Sequence, residues 1–181
     1  LGNRYNGTWQ STSGGNGTAS VVDMSDFPHT GIQKGIRVLN NTNSNNKDLS
    51  QFVNLTIGEK YTISAWARVS SQSPTESVML LMRSWANEND TNRILKTYIS
   101  NKDWKRYSVT FTADAQNNSV QFGQTGTGII ELCGLKLERG PIATDWETPP
   151  EDLVQVKAFN ETKDTVDAHT RTIGAVGQSG T

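Results

Sequence analysis

The chain has 181 residues, a formal net charge of −1 and a pI near 6.1, with 34% hydrophobic and 19% charged residues. That length fits one core with an appendage, because single domains mostly run to ~100–150 residues. The near-neutral balance argues against nucleic acid and anionic membranes as partners, and no stretch approaches the ~20 apolar residues of a membrane span.

The surplus of Ser, Thr, Asn, Gln and Gly favours short strands and polar turns over helices, so the expected class is all-β. A segment thick with Gly, Asn, Ser and Thr runs from Leu1 to about Gly31, broken by an edge-strand candidate at Ala19 to Met24. Gly35 to Asn40 is a second short strand. Asn40 to Asp48 is almost wholly polar and reads as a mobile surface loop. Leu49 to Leu55 follows as a strand, and then Tyr61 to Val69, where Tyr61, Ile63, Ala65, Ala67 and Val69 alternate with Thr62, Ser64, Trp66 and Arg68.

Ser77 to Trp85 is apolar at consecutive positions, as expected of a central strand, and Arg93 to Ser100 is placed to pair back on it across the Asn87 to Asn92 turn. Tyr107, Val109 and Phe111 define one face of the next strand. Val120 and Phe122 mark another, and Ile129 to Leu137 is the last long one. Eight or nine strands at roughly ten-residue spacing predict a two-sheet antiparallel sandwich over residues 1–140. A Pro-rich junction occupies 141–150. The Pro149-Pro150-Glu151-Asp152 sequence resembles a helix start, with a helical stalk over 151–173 and a Gly/Ser-rich tail over 174–181. Phe159, Val166 and Ile173 are seven apart and Val156, Lys163 and Thr170 occupy an intervening position, so any heptad is half polar and the helix asks for partners.

Catalytic material is thin. The two histidines, His29 and His169, supply neither a nucleophile's triad nor a His-rich zinc site, so the chain reads as non-catalytic. Glu76, Glu88, Asp90 and Glu131 are available as carboxylates but form no pattern a glycosidase would need. Asp23, Asp26 and Glu131 are the candidates for a metal. Cys133 is the only cysteine and lies in an apolar run, where a thiol packs as a small hydrophobe. Seven Asn-x-Ser/Thr sequons occur, a number expected by chance in so Asn- and Thr-rich a chain. With Leu1 at its start and no signal segment, the chain reads as a fragment or excised product.

Three strand segments carry a family resemblance. Tyr61 to Val69, Asp103 to Ala113 and Ile130 to Glu138 resemble the jelly-roll carbohydrate-binding modules related to xylan- and glucan-binding families. The string Leu137-Glu-Arg-Gly-Pro-Ile-Ala-Thr-Asp-Trp-Glu-Thr-Pro-Pro-Glu-Asp152 looks like the junction after such modules in tail and baseplate proteins of phages that infect Gram-positive bacteria. The resemblance implies an adhesin on the virion, binding a bacterial cell-surface saccharide, meeting other tail proteins and trimerising through its stalk. Family members often carry paired aspartates in the last strand that help hold a structural calcium. This chain has Cys133-Gly134 there, so no cofactor is expected beyond a possible structural calcium.

Sugar binding needs flat aromatic faces beside planar polar groups. If Tyr61 to Val69 is a strand of the concave sheet, Trp66 and Arg68 are groove candidates, joined by Arg83 and Trp85 in the next strand, Gln121 in a later one, and Tyr98 beside the hairpin loop. Trp104 and Trp146 are expected to pack against the sandwich, and Trp9 is open to either role. The competing expectation is a structural spacer or protein-docking domain of the tail without a sugar ligand.

Overall fold

The computed structural model describes residues 16–42, 45–86 and 93–147. Nine strands are present there: β1 (Gly17–Val22), β2 (Gly35–Asn40), β3 (Asn46–Asn54), β4 (Lys60–Val69), β5 (Val78–Trp85), β6 (Ile94–Ile99), β7 (Lys105–Thr112), β8 (Asn117–Thr125) and β9 (Gly128–Arg139). They form two antiparallel sheets, one of five strands in the order β1-β2-β9-β4-β7 and one of four in the order β3-β8-β5-β6. β1 is an edge strand and β5 an inner one, as their sequences indicate. The expected stalk over 151–173 and tail over 174–181, together with Trp9, lie outside the described residues.

The core follows from period-two alternation. Ile63, Ala65, Ala67 and Val69 of β4 are wholly buried, as are Ile36 and Val38 of β2 and Ile130 and Leu132 of β9. They pack with Leu80 and Met82 of β5 and Val120 and Phe122 of β8 in one hydrophobic cluster between the sheets. The side chains alternating with these point outward on each sheet, which makes two outer faces of different character.

The polar run from Asn40 to Asp48 is strand at both ends, with the exposed Asn41 and Asn45 in the connection between β2 and β3. Asn40 ends β2 and is buried. Its side chain donates to the Asn45 carbonyl at 2.8 Å and accepts from the Thr42 amide and hydroxyl at 3.2 and 2.8 Å, so it substitutes for turn hydrogen bonds. Asp48 is wholly buried in β3, opposite Gly123. A side chain at Gly123 would meet the Lys47 carbonyl at 2.1 Å, so the missing Cβ lets β3 and β8 close over the carboxylate.

A β-bulge interrupts the β4–β9 ladder between Ser64 and Trp66, adding one residue to β9. Gly134 occupies the bulge at φ +58°, and a Cβ there would lie 2.5 Å from the Trp66 ring. Gly134→Ala therefore combines left-handed strain with a clash against a packed indole. The expected loss is about 2–3 kcal/mol, read as a lower midpoint in urea denaturation. An unchanged midpoint would show that the bulge is not constrained by Trp66.

Candidate functional site

The outer face of the four-stranded sheet reads as a grid. Register places Phe52, Ser119 and Trp85 in one row, and Ser50, Gln121, Arg83 and Ile94 in the next. Asp48, Gly123, Leu81 and Lys96 follow, and then Asn46, Thr125, Met79 and Tyr98. Rows on one face lie ~7 Å apart, so the span from the Trp85 row to the Tyr98 row is ~20 Å, room for several linked sugar rings. Asp48, Ser50, Leu81, Ser119 and Gln121 are all buried, whereas Phe52 and Tyr98 are each 69% exposed. The face thus has a buried, largely polar centre with aromatic side chains standing at its margins.

Centre and margin are tied together by hydrogen bonds. Arg83 Nε donates to Gln121 Oε1 at 2.5 Å, and Gln121 Nε2 donates to Ser119 Oγ at 3.2 Å. The Arg83 guanidinium lies 4.4 Å from the centroid of the Trp85 ring, a cation–π geometry that orients both planes. Burial pushes the Arg83 pKa below its ordinary value, and the charge of Asp48 opposes that shift only in part. At the Asn54 end, Phe52, Val53, Asn54, Asn117 and Asn118 line a small depression of about 230 Å³.

Four of the six sequence candidates, Arg83, Trp85, Tyr98 and Gln121, share this face. Trp66 and Arg68 do not. They project from β4, on the outer face of the other sheet, where a second cluster forms from Ile32, Cys133 and Trp146 with Phe27, Trp66 and Trp104 against it. Arg106 lies over the Trp66 ring at 4.9 Å, and Arg68 over Trp104 at 4.2 Å. Trp104 Nε1 donates to the Asp26 carbonyl at 2.9 Å, and the His29 ring meets Trp146 edge-on at 5.1 Å. Trp104 and Trp146 pack against the sandwich, as expected.

The carboxylates considered for a metal face cations instead. Glu131 is 5% exposed and accepts from Arg37 Nη2 at 2.7 Å and from Arg68 Nε at 3.0 Å. Asp26 pairs with Arg68 at 2.5 Å, and that hydrogen bond holds its carboxyl below the ordinary range. Asp23 pairs with Lys34. For Arg68, burial opposes the charge but Asp26 and Glu131 outweigh it and raise the pKa. Among the described residues no group of three His, Cys, Asp or Glu is placed to hold a metal. Burial pushes the Cys133 thiol well above its ordinary range, consistent with a packing role.

The chain segment after β9 crosses this second face. Thr62 Oγ1 donates to the Gly140 carbonyl at 2.8 Å and Thr110 Oγ1 to that of Pro141 at 3.2 Å. Thr144 is held by Glu138 Oε1 at 2.6 Å, Lys136 Nζ at 2.5 Å and Arg106 Nη2 at 2.5 Å, and Trp146 is buried. The junction is thus fastened to the sandwich up to Trp146.

Asp48, Ser50, Phe52, Leu81, Lys96 and Ser119 also lie on the grid and were not singled out in the sequence. The one signal available was alternation in β3, where Asp48, Ser50 and Phe52 are two apart.

A two-sheet antiparallel sandwich that holds aromatic planes beside hydrogen-bonding side chains on a largely polar face has the build of a sugar-binding module. The chain matches the Carbohydrate binding domain family (CBM_4_9) over residues 4–123, and it belongs to that family. Its fold is similar to that of the CBM22-1 xylan-binding domain from Paenibacillus barcinonensis Xyn10C, at 11% identity and a TM-score of 0.53, covering 76% of this chain and 89% of that one. It is also similar to part of the arabinose-bound MgGH51 α-L-arabinofuranosidase, at 14% identity and a TM-score of 0.56, covering 75% of this chain and 24% of that one. A third similarity is to the enzymatically active domain of bacteriophage CBA120 tailspike protein 4, at 10% identity and a TM-score of 0.54, covering 74% of this chain and 20% of that one. The chain therefore spans less than a quarter of the length of the last two, and at these identities the likeness is one of fold. No curated protein matches the chain in sequence.

Proposed function

We propose that this module attaches a phage tail to the cell-surface polysaccharide of a Gram-positive host, without catalysis, and that the ligand lies along the outer face of the four-stranded sheet. The observation that carries the reading is the patch of buried polar side chains, Ser50, Ser119 and Gln121, on one face with the exposed rings of Phe52 and Tyr98, where Arg83 is tied to Gln121 and lies against Trp85. Asp48 is the only carboxylate on that face among the described residues, whereas glycoside hydrolysis uses a facing pair. Membership in the family supports a saccharide partner. The tail setting rests on the resemblance of the Leu137 to Asp152 string to tail-protein junctions. A trimer formed through residues 151–173 would multiply shallow single-site contacts by effective concentration.

The test is binding of the labelled full chain to cells and extracted wall polysaccharides from a panel of Gram-positive bacteria, with Tyr98→Ala alongside. The expected result is strain-selective binding that weakens about fivefold in the variant, the value of ~1 kcal/mol of ring stacking, with an unchanged melting temperature because Tyr98 is exposed. Binding to no strain and no polysaccharide would turn the reading to a structural spacer or docking domain.

A further inference from the structure

We propose that this face selects a saccharide carrying negative charge, as a carboxylate or a phosphate ester, with Arg83 as the binding group and Lys96 as the neighbouring cation. The inference deepens the saccharide reading above and rests on it.

Among the described residues, the four rows of the grid hold three charged side chains, Arg83, Lys96 and Asp48. Two are cations. The single carboxylate is wholly buried, whereas Lys96 is exposed and Arg83 half-exposed, so what the face offers a ligand is positive. Lys96 sits one row along from Arg83 on the adjacent strand, where Arg83 pairs with Ile94 and Leu81 with Lys96.

Arg83 is also pre-oriented. Its Nε is committed to Gln121 and its plane is set against Trp85, so the two terminal nitrogens form the guanidinium's remaining donor edge. A planar, fixed donor edge matches the two oxygens of a carboxylate or phosphate and gains less from a single hydroxyl. The energetics point the same way. A neutral sugar settling over Arg83 would strip water from a cation that burial disfavours and that Asp48 balances only in part, and would add no counter-charge, whereas an anionic group supplies one. Trp85 then stacks on the apolar face of the ring that bears the charge.

The experiment uses the full chain in affinity electrophoresis and calorimetry against a uronic-acid homopolymer, the same polymer after carboxyl reduction, and poly(glycerol phosphate), with the wall extracts described above as reference. At least one anionic polymer should bind about tenfold or more tightly than the reduced polymer and weaken as salt rises, and the one that binds tells carboxylate from phosphate. Arg83→Gln should remove that preference, and Arg83→Lys should keep part of it. Lys96→Gln, at an exposed position that leaves folding untouched, should lower anion affinity about threefold. Equal binding of acidic and reduced polymers, lost from both in Trp85→Ala, would overturn the anion preference and leave the saccharide face standing. Anion binding that survives both Arg83→Gln and Lys96→Gln would overturn it too. Failure of every polymer and every wall extract to bind would overturn both readings.

Discussion

Trp85→Ala is expected to lower affinity for the wall polysaccharide by about ten- to a hundredfold while shifting the melting temperature by no more than about 3 °C. Trp85 ends β5 with its ring outward and half-buried, so its removal opens no cavity in the core between the sheets. What is lost is the flat apolar surface on which a sugar ring would lie, worth ~1.5–3 kcal/mol when fully covered. The Arg83 guanidinium also loses the ring that holds its plane, 4.4 Å away. Titration calorimetry with thermal melts on the same samples makes the comparison, and Trp66→Ala is the matched control. Trp66 lies on the other sheet beneath Arg106, so its loss should reduce stability and leave affinity alone. The opposite pattern, with affinity lost in Trp66→Ala and kept in Trp85→Ala, would move the ligand to the five-stranded sheet.

Glu131→Ala is expected to cost about 3–5 kcal/mol and to lower the melting temperature by about 10 °C. Its carboxylate is nearly inaccessible and bridges Arg37 and Arg68, and the Arg68 side chain is itself only 16% exposed. Truncation would leave Arg68 with Asp26 as its remaining anion, at the solvent-exposed end of the guanidinium. The penalty comes mainly from the uncompensated charge, so Arg68→Met together with Glu131→Leu should recover much of the loss, since apolar replacement of a buried pair is often neutral. Differential scanning calorimetry reads both variants. A Glu131→Ala melting temperature within a degree or two of the parent would mean that solvent reaches the pair and screens it.

Alternation made most of the strands legible, because a sheet buried on one face writes a period of two into the chain. It placed Trp66 and Arg68 correctly on the side of β4 opposite Ile63 and Ala65. What alternation does not encode is which sheet a strand joins. β4 and β5 are consecutive and both carry an outward Trp and Arg, yet the crossover between them puts the two pairs on opposite sides of the sandwich. The missed half of the site has a different cause. A strand that carries a buried polar patch has polar residues on its outer side, just as a solvent-facing strand does. Asp48, Ser50 and Ser119 therefore look like surface until tertiary packing closes over them, and the polar texture from Asn40 to Asp48 hides the start of β3 for the same reason. Gly123, which permits the close approach of β3 to β8, carries no separate signal of that contact in the sequence.

In the attachment role proposed above, the fastening of the junction would determine how the module bears a mechanical load. The segment that leaves the sandwich is moored to the five-stranded sheet at Gly140, Pro141, Thr144 and Trp146, whereas the candidate ligand face belongs to the four-stranded sheet. Tension between a captured surface and the polypeptide beyond Glu147 would cross the interlocked side chains between the sheets. It would first have to draw Trp146 from its socket and break the polar ties on Thr144 before it could unzip β9. Shear from a moving cell would thus be resisted by the thickness of the sandwich before it reached the strand edges.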